Sequence, residues 1–199
     1  VSAVMERDVV FFSGETGCGK STMIPQFILD ATSTGAPANI LVCQPRRVAA
    51  ISLAQRIAHL RQQPLGRSVG YKIGLGDHNV SSETVITVVT EGYLLAYLSH
   101  NPKKLSRYTH VLLDEVHERS MDADLLCLLM KMLTGAHKVK TGGPKTKLVC
   151  MSATLEPGGL ASFFDLDASG LEPIPVGARR FTVEPVFLDD IAQAFPSVG

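Results

Sequence analysis

The sequence has no net charge, because 19 Lys and Arg residues balance 19 Asp and Glu residues. This balance excludes the strongly basic type of nucleic-acid-binding module, whose isoelectric point lies above about 9. A local track of phosphate-binding residues is still compatible with a neutral total. Because 45% of the residues are hydrophobic, the composition also excludes a disordered segment, which needs low hydrophobicity and high net charge. The length of 199 residues suits one α/β domain with a sizeable core, followed by a tail.

Long hydrophobic runs and paired cysteine motifs are absent as well. Apolar stretches such as 9–12 fall far short of the roughly 18 residues of a membrane span, so we expect no transmembrane helix and no membrane partner. The four cysteines show no C-x-x-C spacing and lie mostly in apolar runs, which favours reduced core thiols over disulfides or zinc ligands. We therefore expect an intracellular protein, of the nucleus or the cytoplasm. The chain starts without Met or a targeting segment, so we expect it to be cut from a longer protein. The cysteines are Cys18, Cys43, Cys127 and Cys150.

Short β-branched runs alternate with longer helical patterns, which predicts βαβ units on a mainly parallel sheet with helices on both faces. The predicted strands are 8–13, 39–44, 68–73, 85–90, 110–114 and 147–152. The predicted helices are 20–29, 47–60, 91–98, 121–133 and 159–164. Glycines, a proline and lysines predict a mobile surface loop over 134–146, which we interpret as a solvated connector rather than a phosphate contact. The pattern also predicts a final strand over 181–188, and a linker over the last dozen residues.

A glycine-rich loop connects the first predicted strand to the first predicted helix. Its sequence matches the phosphate-loop pattern G-x-x-x-x-G-K-[ST] in the strand, loop and helix context that the pattern requires. Glycines let the backbone wrap closely around phosphate oxygens, and the helix N-terminus adds positive potential. In this pattern Lys20 reaches the β- and γ-phosphates, and the Ser21 hydroxyl faces Mg²⁺. An ordinary tight turn is the alternative. The predicted nucleotide-binding residues are Gly14, Glu15, Thr16, Gly17, Cys18, Gly19, Lys20, Ser21 and Thr22.

An acidic pair follows the apolar run 111–113. If that run is a buried parallel strand, Asp114 and Glu115 emerge at its carboxyl end, where open α/β sheets bind ligands. Phosphoryl transfer needs one carboxylate to hold Mg²⁺ and another to polarise the attacking water. We therefore assign the metal to Asp114 and the water to Glu115, with His117 as a candidate for coupling nucleotide state to other parts of the protein. A zinc site built on this histidine is disfavoured, since the spacing does not match H-E-x-x-H.

Five segments stand in an informative order along the chain. They are the glycine-rich loop, Gln44-Pro-Arg-Arg-Val-Ala-Ala50, Thr90-Glu-Gly-Tyr-Leu-Leu95, Asp114-Glu-Val-His117 with Glu118-Arg119, and Ser152-Ala-Thr154. In order and spacing they resemble motifs I, Ia, Ib, II and III of the DEAH/DExH-box ATP-dependent RNA helicases. The resemblance covers nearly the whole chain, and the Arg46-Arg47-Val-Ala-Ala stretch separates this family from other P-loop ATPases.

The resemblance implies a first RecA-like domain that binds ATP and Mg²⁺. It implies that Arg56 stacks on the nucleotide base, a role suited to a planar guanidinium; a solvated helix charge is the alternative. Another three residues match the motif that links hydrolysis to strand movement. These are Ser152, Ala153 and Thr154.

The resemblance also implies contacts with a single RNA strand. Arg46, Arg47, Thr90 and Gly92 match positions that touch the nucleic-acid backbone, and such contacts give sequence-independent, salt-sensitive binding. For Arg47, an internal salt bridge is the alternative. Backbone contacts of this kind do not distinguish RNA from DNA.

By the same resemblance, residues 1–178 form the ATP-binding domain and residues 179–199 lead to a second RecA-like domain. C-terminal accessory domains and an activating protein cofactor are further implied partners. Arginines of the second domain complete the ATP site in this family, so we expect the chain alone to bind nucleotide weakly and to hydrolyse it slowly if at all. Three residues depart from the usual motifs. Gly74 replaces an Arg, Val116 replaces the more common Ala, which is typical of the broader DExH set, and Glu91 replaces Asp.

The function favoured by these patterns is the N-terminal motor domain of an ATP-dependent RNA helicase, which couples ATP hydrolysis to strand translocation or RNP remodelling. A nucleotide-gated RNA-binding scaffold with little turnover is one alternative, although the intact Lys20, Asp114 and Glu115 argue against it. A DNA-directed or viral helicase with a similar motor is another. The polymer that stimulates ATP hydrolysis would distinguish these alternatives.

Overall fold

The computed structural model describes residues 2–32, 38–140, 146–154, 162–164, 172–177 and 186–190, with side chains up to residue 133 in the second segment. The strands are β1 Val9–Ser13, β2 Ile40–Gln44, β3 Val69–Lys72, β4 His78–Asn79, β5 Ile86–Thr90, β6 His110–Leu113, β7 Lys147–Ser152 and β8 Ile174–Pro175. The α-helices are α1 Ser2–Glu6, α2 Lys20–Thr32, α3 Arg47–Leu60, α4 Glu91–His100 and α5 Met121–Lys140. Two 3-10 turns, Pro102–Arg107 and Val116–Glu118, complete the described elements.

The strands form one sheet in the order β4-β3-β5-β2-β6-β7-β1-β8. Every neighbouring pair is parallel except β3 and β4. All residues of the central strands β2, β5 and β6 are buried, as expected for parallel strands that are covered on both faces. The predicted mainly parallel sheet is therefore confirmed.

Helices cover the two faces of the sheet. On one face, Ile24 and Ile28 of α2 and Leu53 and Ile57 of α3 pack against alternate residues of the strands. On the other face, helices α4 and α5 pack through Leu94, Leu98, Leu126 and Met130. Because successive strand residues point to opposite faces, the continuous apolar runs supply both clusters at once. This arrangement confirms the predicted helices on both faces.

Most predicted elements lie within a few residues of those observed, but two predictions are wrong in part. The predicted loop 134–146 is helical as far as Lys140, and 141–145 lie outside the described residues. A single glycine, Gly135, costs a helix only about 1 kcal/mol, and the next glycines and proline come at 142–144. The predicted strand 181–188 is wrong at its end. Leu188 begins a helical turn, because the Asp190 carboxylate accepts a hydrogen bond from the Phe187 amide at 2.9 Å.

Other predictions fall partly outside the described residues. Of the predicted helix 159–164, only residues 162–164 are described, and Ser162 and Phe163 are helical. Residues 181–185, and the residues on either side of the predicted domain boundary at 178, are not described. The boundary therefore stays a prediction.

Three cysteines lie in the core. Cys43, Cys127 and Cys150 are buried, Cys18 is partly exposed, and all four are free. Burial raises the pKa of the Cys43 and Cys150 thiols well above its usual value and that of Cys127 to about 11, which keeps these thiols protonated and unreactive. The predicted core position is confirmed for these three thiols, and their reduced state stays a prediction. Within the described ranges, we find no helix with the length and apolar character needed to cross a membrane.

Candidate functional site

The glycine-rich loop lies between the carboxyl end of β1 and the start of α2. Gly17 and Gly19 have φ angles of +83° and +95°, a left-handed region that favours glycine. Gly14 is needed for a different reason, since a Cβ built there would lie 2.3 Å from the Val176 carbonyl oxygen. The Gly14 amide also donates to the Ser152 carbonyl at 3.1 Å. The loop is therefore wrapped tightly and is fixed to the end of β7.

Lys20 turns back into this loop. Only 3% of its surface is exposed, and its Nζ donates to the Gly14 carbonyl at 2.5 Å and to the Glu15 carbonyl at 3.1 Å. Neutral carbonyls thus hold the ammonium, and the described structure shows no carboxylate bonded to it. A buried cation inside a loop of backbone amides suits phosphate oxygens. Ser21 and Thr22 follow in the first turn of α2, where Thr22 donates to the Gly19 carbonyl.

The acidic pair follows the carboxyl end of β6. Asp114 is 3% exposed, and its Oδ2 accepts a hydrogen bond from Gln44 Nε2 at 2.5 Å, while its Oδ1 accepts one from the Glu115 amide at 3.0 Å. Gln44 was not among the predicted site residues. It ends β2, and the pairing of Cys43 with Leu113 brings it beside Asp114. A sequence does not reveal which strands are neighbours, so motif spacing could not identify this contact.

Glu115 has the geometry of a group held ready for a ligand. Its backbone is left-handed, with φ +54°, which is strained for a residue other than glycine. Its Oε2 is buried without a hydrogen bond, although it lies 3.3 Å from His117 Nδ1. Burial, and secondly the charge of Asp114, raise the pKa of this carboxyl. A buried oxygen without a partner, beside a second carboxylate, suits the binding of a polarised water.

The Ser152–Thr154 segment begins at the last residue of β7, and this strand lies between β6 and β1. Ser152 is fully buried. Its hydroxyl donates to the Thr154 carbonyl at 2.8 Å and accepts from the Thr154 amide at 3.2 Å, so Ala153 lies within a closed turn. Together with the bond from Gly14, this places the predicted coupling residues next to the phosphate-binding loop.

The predicted nucleic-acid residues lie at the ends of the neighbouring strands. Gln44 of β2 is paired with Thr90 of β5, so the starts of α3 and α4 are adjacent. Arg46, Arg47 and Gly92 are exposed, whereas Thr90 is buried. Arg46 pairs with Glu118 at 3.2 Å, while Arg47 has no ion pair among the described side chains. An internal ion pair was the alternative role for Arg47, but in the structure it is Arg46 that forms one.

Two further predicted features have a clear place in the structure. Arg56 lies exposed on α3, and no ion pair is found for it in the described part of the chain. Its predicted contact with a nucleotide base stays a prediction. Gly74 has φ +84° and lies in the turn between β3 and β4, where an arginine would be strained. Because glycine has no side chain, the contact that the arginine makes in the family is not available from this position.

The residues present fit a magnesium nucleotide by their chemistry. Magnesium takes one or two protein oxygens and completes its shell with phosphate and water. The buried Asp114 carboxylate and the Ser21 hydroxyl in the first turn of α2 are oxygen donors of that type. Within the described residues, no three Cys, His, Asp or Glu side chains form a metal cluster. A site of the zinc type is accordingly not observed there.

Comparison with known proteins gives a consistent result. A sequence model of the DEAD/DEAH box helicase family matches residues 1–161. The chain is 41% identical over 196 residues to a probable ATP-dependent RNA helicase spindle-E of Culex quinquefasciatus, covering 96% of this chain and 14% of that protein. The spindle-E proteins of Anopheles gambiae and Drosophila melanogaster are 42% and 37% identical over 193 and 195 residues, covering 96% and 97% of this chain. The chain spans only 12% and 13% of the length of these two relatives.

Proposed function

The chain belongs to the DEAD/DEAH box helicase family, and from that premise we propose that it is the N-terminal motor domain of a DExH-type ATP-dependent RNA helicase. The observation that carries the proposal is the unbonded, buried carboxylate oxygen of Glu115 beside Asp114. A protein that only binds nucleotide has no need to keep a carboxylate oxygen buried without a hydrogen bond. The Asp-Glu-Val-His sequence and the Arg-Arg-Val-Ala-Ala stretch support the DExH subtype.

ATP hydrolysis follows from the assigned roles. Lys20 would bind the β- and γ-phosphates, and Ser21 and Asp114 would hold Mg²⁺, partly through water. When bound, the metal neutralises phosphate charge. Glu115 orients a water molecule and accepts its proton as the water oxygen bonds to the γ-phosphorus. The bond from that phosphorus to the bridging oxygen breaks, and ADP and phosphate are released.

Strand binding uses the other half of the same sheet edge. The exposed guanidinium groups of Arg46 and Arg47, with Thr90 and Gly92 at the start of α4, offer contacts to a phosphate backbone. Two relatives that align with 96% of this chain are named probable ATP-dependent RNA helicases, which supports RNA as the polymer. We place the ATP-binding domain at 1–178, with 179–199 leading to a second RecA-like domain. Accessory domains, an activating protein and an intracellular location belong to the same proposal.

The test measures ATP hydrolysis by the full-length parent chain with and without single-stranded RNA or DNA. We expect RNA to stimulate turnover and Glu115→Gln to abolish it, while Glu83→Gln, which removes an exposed carboxylate elsewhere, leaves turnover unchanged. Stimulation by DNA alone would favour a DNA-directed motor. If neither polymer stimulates and Glu115→Gln matches the wild type, the protein is a nucleotide-gated scaffold and the proposal is wrong.

A further inference from the structure

An ion pair joins the two halves of the site. The Nη2 atom of Arg46 lies 3.2 Å and 3.4 Å from the two carboxylate oxygens of Glu118. Arg46 immediately precedes α3 on the strand-binding side, and Glu118 ends the Val116–Glu118 turn that follows the catalytic carboxylate. The Arg46 side chain is 74% exposed, so solvent and a polymer can both reach it. Glu118 therefore binds one nitrogen of the guanidinium group that the proposed function assigns to a phosphate.

The turn that carries Glu118 is short and is bounded by strained backbone. Glu115 before it and Arg119 after it both have left-handed φ angles, +54° and +49°, which residues other than glycine rarely adopt. The Glu118 amide donates to the Glu115 carbonyl at 2.9 Å. Strained segments of this kind persist only where their surroundings hold them. A ligand that changes the contacts of Glu115 could therefore shift Glu118, which lies three positions further along the chain and is bonded to the Glu115 carbonyl.

The far end of the turn is fixed. Arg119 donates through Nε and Nη2 to the two carboxylate oxygens of Asp124, at 2.8 Å and 3.1 Å. Ser120 donates to Glu91 of α4 at 2.6 Å. With Arg119 and Ser120 held by α5 and α4, the movable part of this segment lies between Glu115 and Glu118.

We propose that Glu118 is a positioning residue that competes with the nucleic-acid phosphate for Arg46, so that strand affinity depends on the ligand held at Glu115. The proposal rests on the proposed function, since it needs both a nucleotide and a strand. Arg47, which has no ion pair among the described residues, attracts the strand in either state, whereas the attraction of Arg46 for a phosphate is weakened while Glu118 holds its Nη2 atom. Exposed ion pairs alter an equilibrium constant by about 1.4- to 5-fold, so the structure predicts modest and measurable modulation rather than an on/off switch.

The experiment measures binding of a fluorescent single-stranded RNA by the full-length chain, without nucleotide and with a non-hydrolysable Mg-ATP analogue, which supplies the γ-phosphate next to the water assigned to Glu115. Glu118→Gln keeps the shape of the side chain and removes its charge. We expect it to tighten nucleotide-free RNA binding about 2- to 5-fold and to steepen the salt dependence by up to about 0.7 in log–log slope, the value of one extra phosphate contact on a single strand. Glu83→Gln is the matched control, because Glu83 forms an exposed ion pair with Arg67 at 3.0 Å; it should change affinity far less.

A second variant separates competition for Arg46 from a general loss of negative charge. In an Arg46→Ala background, we expect Glu118→Gln to leave RNA affinity unchanged. An equal gain in both backgrounds would show that Glu118 acts on the strand directly and would overturn the proposal. We also expect Glu118→Gln to bring the ratio of RNA affinities with and without the Mg-ATP analogue closer to one. An unchanged ratio would overturn the link to Glu115.

The outcomes also distinguish this proposal from the proposed function. If the wild-type chain binds no RNA under either condition, the proposed function itself fails. If the wild type binds RNA and Glu118→Gln behaves like Glu83→Gln, the motor assignment stands and only the role of Glu118 is wrong. Thermal unfolding of each variant checks that the exposed substitutions leave the fold intact.

Discussion

At the scale of single residues, the nucleotide half of the site holds its charges with neutral partners. Backbone carbonyls bind the Lys20 ammonium, and an amide side chain binds the Asp114 carboxylate. A buried charge without hydrogen bonds is very costly, and these partners offset part of that cost. Among the described side chains, neither group has an ion pair with an opposite charge, which fits the proposed roles of Lys20 toward phosphate and of Asp114 toward a cation.

The first prediction concerns the pH dependence of stability at Glu115. Its pKa is raised above the ordinary value of 4.5 by burial and by Asp114, with His117 acting in the opposite direction. A raised folded-state pKa means that the ionised group destabilises the fold, and this loss appears as pH rises through that pKa. We expect Glu115→Gln to raise Tm at pH 7 relative to the wild type, by a few degrees at most, since one kcal/mol corresponds to about 2–4 °C in a protein of this size. We expect the difference to vanish as the pH falls below the ordinary pKa of 4.5.

Thermal denaturation from pH 4 to pH 8 measures this difference. Glu83→Gln, on the exposed surface, controls for the loss of one negative charge. A Glu115→Gln variant that is less stable than the wild type at pH 7 would show that the carboxylate is satisfied in the folded protein, contrary to its unbonded oxygen.

At the scale of elements, strands and motifs were predictable while contacts between them were not. The helix over 47–60 and the strand over 147–152 match their predicted bounds, because hydrophobic periodicity is a local signal. Helix α1 was missed. Its carbonyls accept bonds from Lys147, 143 residues away from Val4 along the chain, and no local pattern reports such an anchor. Glu91 is a similar case, since the sequence shows a change from Asp but not the partner that the longer side chain reaches.

The second prediction concerns that partner, Ser120, which links α4 to α5. Its hydroxyl donates to Glu91, which is only 6% exposed, and accepts from the Ala123 amide at 3.0 Å. Ser120→Ala removes a helix cap and leaves a buried carboxylate without this donor, so we expect a loss of about 1–3 kcal/mol in the free energy of unfolding. Urea denaturation measures the loss. Ser52→Ala, on the exposed face of α3, is the control, and equal losses in the two variants would contradict the assigned role.

At the scale of the whole molecule, the carboxyl edge of one sheet carries both halves of the site. Strands β1, β7 and β6 bring the glycine-rich loop, Ser152 and the acidic pair together, while β2 and β5 carry the arginines and Thr90. Gln44 and Glu118 join the two halves. The motif order indicated that such an edge exists. It did not indicate that β2 lies between β5 and β6, and this position brings the segment that carries Arg46 next to Asp114 and Glu115.

The last prediction follows from the size of the chain relative to the proteins it resembles. Arginines supplied by another domain accelerate related P-loop enzymes by about 10³- to 10⁵-fold, and we propose that a second RecA-like domain supplies such arginines here. We expect the 199-residue chain to bind Mg-ADP weakly in a calorimetric titration, and Lys20→Ala to abolish the heat, since the buried ammonium is the assigned phosphate ligand. Lys103→Ala, on an exposed 3-10 turn, should leave the heat unchanged.

ATP turnover by this chain should fall at least 10³-fold below that of the parent chain with RNA. Equal turnover would show that one domain completes the site, and unchanged heat in Lys20→Ala would refute the phosphate site.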